Sequence, residues 1–151
     1  MLACGARYFD LRVENDGGNL VVFHGPIKGM SFLPIIDAIS EFLTNHPSET
    51  LLLDFQHFEN DGSMEGVDSL LNEKLNGKLV VNDTEKSDLQ FAKELTVGAA
   101  RGKAMVFWGN YFKNTSECEY INGRNYLFAR NNDAGTRTGS TLHSFYEGTL
   151  N

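Results

Sequence analysis

The sequence predicts an α/β fold, with helices alternating with the strands of a parallel sheet. Three observations predict it. Leu51–Phe55 and Ala104–Trp108 are continuous apolar runs of strand length, as in a sheet covered on both faces. A stretch with helical apolar spacing precedes the first run, and a second such stretch lies between the two.

Taken in order, Arg7 to Val13 reads as a strand. Its alternation sets Tyr8, Asp10 and Arg12 on one face and Phe9, Leu11 and Val13 on the other. Glu14 to Asn19 is a polar turn cluster, and Leu20 to Phe23 is a short apolar strand ended by His24-Gly25-Pro26. Phe32, Leu33, Ile35, Ile36, Ile39, Phe42 and Leu43 then recur at helical spacing. Ser31 suits the N-cap, Pro34 is tolerated in the first turn, and Asn45-His46-Pro47-Ser48 stops the helix. After the Leu51–Phe55 strand, Met64, Val67, Leu70, Leu71 and Leu75 mark a second helix, with Gly77 as its C-cap. Asp88 to Leu95 reads as a third helix, and a turn at Arg101-Gly102-Lys103 leads into Ala104–Trp108. Residues 109–151 are rich in Asn, Gly, Thr and Ser, with no clear period, and the chain shows no internal repeat.

At 151 residues the chain suits one domain or part of one. Its 13 Lys and Arg against 20 Asp and Glu give a net charge of −7. That balance argues against nonspecific nucleic-acid binding and against a polybasic membrane anchor. It leaves room for an anion held by one or two focused cations. No apolar run approaches the roughly 20 residues of a membrane span. A strand follows Met1 so closely that no signal peptide is expected. For Cys4 and Cys118, two unpaired thiols are the simpler reading, with pairing left open. The glycosylation-type triplets at Asn82 and Asn114 leave the compartment undetermined.

Ligands of parallel α/β folds bind at the carboxyl ends of strands. His24, Arg12 and Gln56-His57 all fall near expected strand ends. Asp10 and Arg12, two residues apart on one strand face, are either a structural ion pair or an anion clamp, since the guanidinium fork fits phosphate or carboxylate. His24 is either structural or a general acid/base. Together, a cation, a carboxylate and an imidazole are what phosphoryl chemistry needs. His46, His57 and His143 read as structural. Asp54 and Glu59 stand too isolated for a metal cage, and no Cys or His spacing fits zinc. No Gly-x-Ser-x-Gly elbow is present.

Several segments then fall into a recognisable order. Gly5-Ala6-Arg7-Tyr8-Phe9-Asp10-Leu11-Arg12, Val22-Phe23-His24-Gly25-Pro26, Phe42 to Phe55, and Ala100-Arg101-Gly102-Lys103 resemble the X domain of phosphatidylinositol-specific phospholipases C over about residues 3–108. The nearest look is to the bacterial enzymes and to small animal proteins built of the X domain alone. The resemblance implies part of a distorted (β/α)8 barrel of the TIM type. It implies attack of the inositol 2-hydroxyl on phosphorus, releasing diacylglycerol and a cyclic inositol phosphate. His24 then matches the general acid, Arg12 the arginine holding the phosphoryl oxygens, and Asp10 its supporting carboxylate. Gln56 stands at a headgroup-binding position. Calcium-dependent relatives carry acidic residues at the Arg12 and Gln56 positions. A cation and a neutral amide there imply a site working without metal or other cofactor. The partner implied is a phospholipid met transiently at a membrane surface.

The sequence also departs from the family pattern. The family's first catalytic histidine, its general base, lies upstream of the Gly5–Arg12 motif, and this chain starts too late to contain it. The carboxylate of the last part of the barrel has no match, and the second headgroup position falls near Gly109. A full barrel needs about 250 residues, so the chain is expected to be an incomplete copy with open sheet edges. Cleavage, headgroup binding without cleavage, and an inactive fragment all remain open at this point.

Overall fold

The computed structural model describes residues 1–108 and 124–129. A short 3-10 turn at Leu2–Cys4 precedes β1 (Tyr8–Asp16), β2 (Asn19–His24) and β3 (Ile27–Ser31). Then follow α1 (Phe32–Asn45), β4 (Thr50–Glu59), α2 (Ser63–Lys74), α3 (Asp88–Glu94), α4 (Val97–Ala100), β5 (Lys103–Trp108) and β6 (Leu127–Ala129). The six strands form one sheet in the order β3-β2-β1-β4-β5-β6. From β1 through β4 and β5 to β6 every pairing is parallel, as the apolar runs predict. β2 and β3 add an antiparallel hairpin at the β1 side.

The two faces of this sheet differ. On one, Leu11 and Val13 of β1, Leu53 and Phe55 of β4, and Val106 and Trp108 of β5 pack with Phe32, Ile36 and Ile39 of α1 and Val67 and Leu71 of α2. On the other, Leu52, Met105, Phe107 and Phe128 make a smaller cluster with Ala92 and Val80. Among the described residues that patch lies on the β5 and β6 side and reaches β4 at Leu52. Towards β1 the same face becomes polar.

Several boundaries depart from the sequence reading. β1 runs on through Glu14 to Asp16, so the expected polar turn shrinks to Gly17-Gly18, both with positive φ. Glu14 stays in the strand because it pairs with Val21 across the hairpin and with Glu59 across β4. β4 runs to Glu59, four residues past the expected end, and a bulge opposite Leu11 and Arg12 makes Gln56 its extra residue. Gln56 and His57 are therefore inside a strand, not at its end. β3 was not expected. All its residues are exposed, so it carries no alternation to read. α1 and α2 agree with the apolar spacing, although Ser31 makes no side-chain cap bond. Cys4 is exposed. Cys118, Asn114, His143 and Gly109 lie outside the described residues.

Candidate functional site

The polar part of the sheet is built by register. β1 and β4 pair Tyr8 with Leu52, Asp10 with Asp54, Arg12 with His57 and Glu14 with Glu59. Paired residues of neighbouring strands project to the same face. Since Leu11 and Val13 face the core with Phe55 and Phe58, the set Tyr8, Asp10, Arg12, Asp54, His57 and Glu59 faces the other way.

Asp10 and Arg12 form the pair expected of them. Arg12 Nε lies 3.5 Å from Asp10 Oδ1, with the two side chains about one-third exposed. The carboxylate meets the Nε edge of the guanidinium. Among the described residues no hydrogen bond or further ion pair engages the terminal nitrogens, the fork that suits a phosphate. Beside them Asp54 is fully buried. Its Oδ2 accepts a hydrogen bond from Tyr8 Oη at 2.6 Å and a longer one from Gln56 Nε2 at 3.4 Å. Burial of a carboxylate is costly unless donors serve it, and these two side chains serve its Oδ2. Gln56 is thus tied to the same face as Arg12 by its bond to Asp54.

His57 pairs in register with Arg12. Its Nε2 lies 3.1 Å from Glu59 Oε1, and its ring meets that of Phe23 edge-on at 5.5 Å between centroids. The sequence reading set this histidine aside as structural, because the bulge that aligns it with Arg12 leaves no mark in residue type. Asp54 did leave one: a lone carboxylate inside an apolar run must find donors when buried.

His24 is placed differently from expectation. β2 runs antiparallel to β1, so its last residue does not lie at the carboxyl face of the parallel strands. It lies two residues beyond Val22, which faces Val13, and so returns alongside the middle of β1. There His24 is exposed and followed by a turn at Gly25. Among the described residues no hydrogen bond or ion pair joins it to Asp10 or Arg12. The hairpin carrying it is tied to β1 by Lys28, whose Nζ lies 2.8 Å from Asp16 Oδ1 and 3.3 Å from buried Glu14 Oε1. Asp16 first, then Glu14, holds the Lys28 ammonium above its usual pKa. Among the described residues no group of three His, Cys, Asp or Glu side chains is arranged to hold a metal ion.

Comparison with known proteins gives this geometry its context. The family model for the phosphatidylinositol-specific phospholipase C X domain matches residues 1–109. PI-PLC X domain-containing protein 2 of Homo sapiens is 41% identical over 61 residues, 38% of this chain and 20% of that protein. Its Mus musculus counterpart is 42% identical over 60 residues, 18% of its own length. The matched stretch is thus a fifth or less of these relatives. Among solved structures, the phosphatidylinositol-specific phospholipase C of Listeria monocytogenes matches with a TM-score of 0.59 at 24% identity, over 74% of this chain and 39% of that one. The calcium-dependent phosphoinositol-specific phospholipase C of a Pseudomonas species matches with a TM-score of 0.63 at 14% identity, over 92% and 64%. At these identities the likeness establishes the fold. The open sheet corresponds to part of the barrel of these enzymes.

Proposed function

Since this chain belongs to the phosphatidylinositol-specific phospholipase C X-domain family, we propose that its Arg12 site binds the phosphodiester of a phosphoinositide-like lipid and supports its cleavage by general acid–base catalysis. The observation that carries this reading is the Arg12 guanidinium, held by Asp10 on the polar face with its terminal nitrogens unengaged among the described residues.

In this mechanism Arg12 holds the non-bridging oxygens and stabilises the charge that builds on them. Asp10 fixes the guanidinium. The inositol 2-hydroxyl gives its proton to solvent water and forms the new bond to phosphorus as the bond to diacylglycerol breaks, and the His24 imidazolium protonates the leaving oxygen. The products are diacylglycerol and a cyclic inositol phosphate. Gln56, anchored through Asp54, offers an amide to a headgroup hydroxyl. The Arg12 charge opposes a calcium ion at this position, and Gln56 supplies no carboxylate, so the step proceeds without metal. The lipid is met at a membrane surface. No described helix is long and apolar enough to cross a membrane.

The test is phosphatidylinositol cleavage in vesicles by the purified chain, with chelator present. Cleavage should survive the chelator. It should fall by roughly 100-fold or more in Arg12→Ala and in His24→Ala. A second reading, headgroup binding without cleavage, is favoured by one observation: the Asp10–Arg12 pair is assembled while His24 stands apart from it. Vesicle binding that depends on Arg12, without release of cyclic inositol phosphate, would select it.

A further inference from the structure

We propose that Gln56 is a specificity-determining residue that turns its amide oxygen, not its nitrogen, to the headgroup. It thereby selects a phosphodiester whose contacted ring position carries a free hydroxyl over one that carries a phosphate. The inference rests on reading Arg12 as the diester site. It does not depend on cleavage.

The orientation of the amide follows from what Gln56 touches. Gln56 is the extra residue of the β4 bulge, between the Leu11–Phe55 and Arg12–His57 pairs. It therefore lies beside Arg12, on strands about 4.8 Å apart. Its Nε2 donates to Asp54 Oδ2 at 3.4 Å, and the same oxygen accepts from Tyr8 Oη at 2.6 Å. A carboxylate oxygen can serve only the donor end of an amide. The opposite flip would set the Gln56 carbonyl against that oxygen, with two acceptors in contact. Asp54 is fully buried in β4, so the amide is oriented from inside the fold and not by solvent. Oε1 is thus turned away from Asp54. Among the described residues it accepts no hydrogen bond, and Gln56 is only partly buried.

An acceptor at this position recognises a donor. A ring hydroxyl donates. A phosphate on the same carbon brings only acceptor oxygens and a charge of about −1.5 to −2. Oxygen would then face oxygen, and the Gln56 carbonyl would lose its partner. The charges of this face act in the same direction. Arg12 is already opposed by Asp10, and Glu14 and Glu59 stand in register on the same face. Lys28, which reaches this face from β3, is held by Asp16 and Glu14. One guanidinium suits the single charge of a diester, while a further phosphate beside it meets these carboxylates. Hydrogen bonding and charge thus select the same class of headgroup.

The test uses glycerophosphoinositol, a soluble phosphodiester with its other ring hydroxyls free. Beside it stand derivatives in which one ring hydroxyl at a time is phosphorylated or replaced by fluorine. Fluorine is close to a hydroxyl in size and cannot donate. Binding to the purified chain is measured by calorimetry. At one ring position we expect phosphate and fluorine each to weaken binding by about tenfold or more. Gln56→Met, similar in length and without the amide oxygen, should bind the unmodified ligand about tenfold more weakly. It should also lose the fluorine penalty at that position. A fluorine penalty in Gln56→Met equal to the parent's, with binding lost in Arg12→Ala, would overturn the role of Gln56 and leave the Arg12 site standing. Absence of binding, or binding indifferent to Arg12→Ala, would overturn both. If Gln56→Met fails to fold, the two ligand series on the parent chain decide alone. Phosphate and fluorine penalties at one shared position are the expected result, and no shared position overturns the proposal.

Discussion

At the scale of single residues, the site is governed by where carboxylates are buried. Asp10 was legible from alternation alone, because Tyr8, Asp10 and Arg12 had to share a face. Asp54 was read as isolated, and in sequence it is. Only the pairing of β1 with β4 brings Tyr8 Oη to 2.6 Å from it. Removing that hydroxyl takes a donor from a fully buried carboxylate. Tyr8→Phe should therefore destabilise the fold by about 1–3 kcal/mol, although Tyr8 is more than one-third exposed. Urea unfolding of the two chains measures it. An unchanged midpoint would mean that Tyr8 contributes nothing to holding Asp54. The same variant should loosen Gln56, whose amide reaches Asp54 at 3.4 Å.

At the scale of elements, segments with a strong period were legible and segments without one were not. α1 and α2 follow their apolar stripes, and β5 follows its apolar run. β3 has neither stripe nor alternation. It exists because the Gly25-Pro26 turn folds Ile27–Ser31 back on β2 and Lys28 anchors it to Asp16. β6 was also invisible, being three residues set in a polar region. Its hold on the molecule comes from the residues just before it. Arg124 Nε donates to Asp68 Oδ2 of α2 at 3.0 Å, Tyr126 Oη donates to Asp68 Oδ1, and Asn72 Nδ2 donates to Tyr126 Oη at 2.6 Å. Burial first, then the bond to Asp68, pushes the Tyr126 phenol up from 10 to about 12. The folded state thus holds this proton more tightly than the unfolded chain. Its stabilising effect is complete below pH 10 and is lost as pH rises from 10 to 12. Alkaline titration of tyrosinate absorbance should show one late component that Tyr126→Phe removes. That variant should also cost about 1 kcal/mol at neutral pH. A Tyr126 that ionises at about 10, as a free phenol does, would refute the anchor.

At the scale of the whole molecule, the sheet divides its two faces between stability and chemistry. The α/β class was legible because both apolar runs are continuous, and the parallel pairing of β4 with β5 bears it out. What the sequence could not show is that a face covered elsewhere by Phe107 and Phe128 turns polar across β1 and β4. This division predicts a separation of mutational effects. Ile36 of α1 is fully buried in the large core, and Ile36→Ala should cost about 2–5 kcal/mol. Arg12 is about one-third exposed and carries only a loose ion pair, so Arg12→Ala should change stability by less than about 1 kcal/mol. The response to ligand should sort the two variants the other way. Glycerophosphoinositol at about 100 times its dissociation constant adds roughly 2.7 kcal/mol to any chain that binds it only when folded. The melting temperature of Ile36→Ala should rise with ligand as the parent's does, because its site is intact. Arg12→Ala, the more stable of the two variants, should not respond. A ligand-induced rise in Arg12→Ala equal to the parent's would place the anion elsewhere on the molecule and remove the basis for an Arg12-centred site.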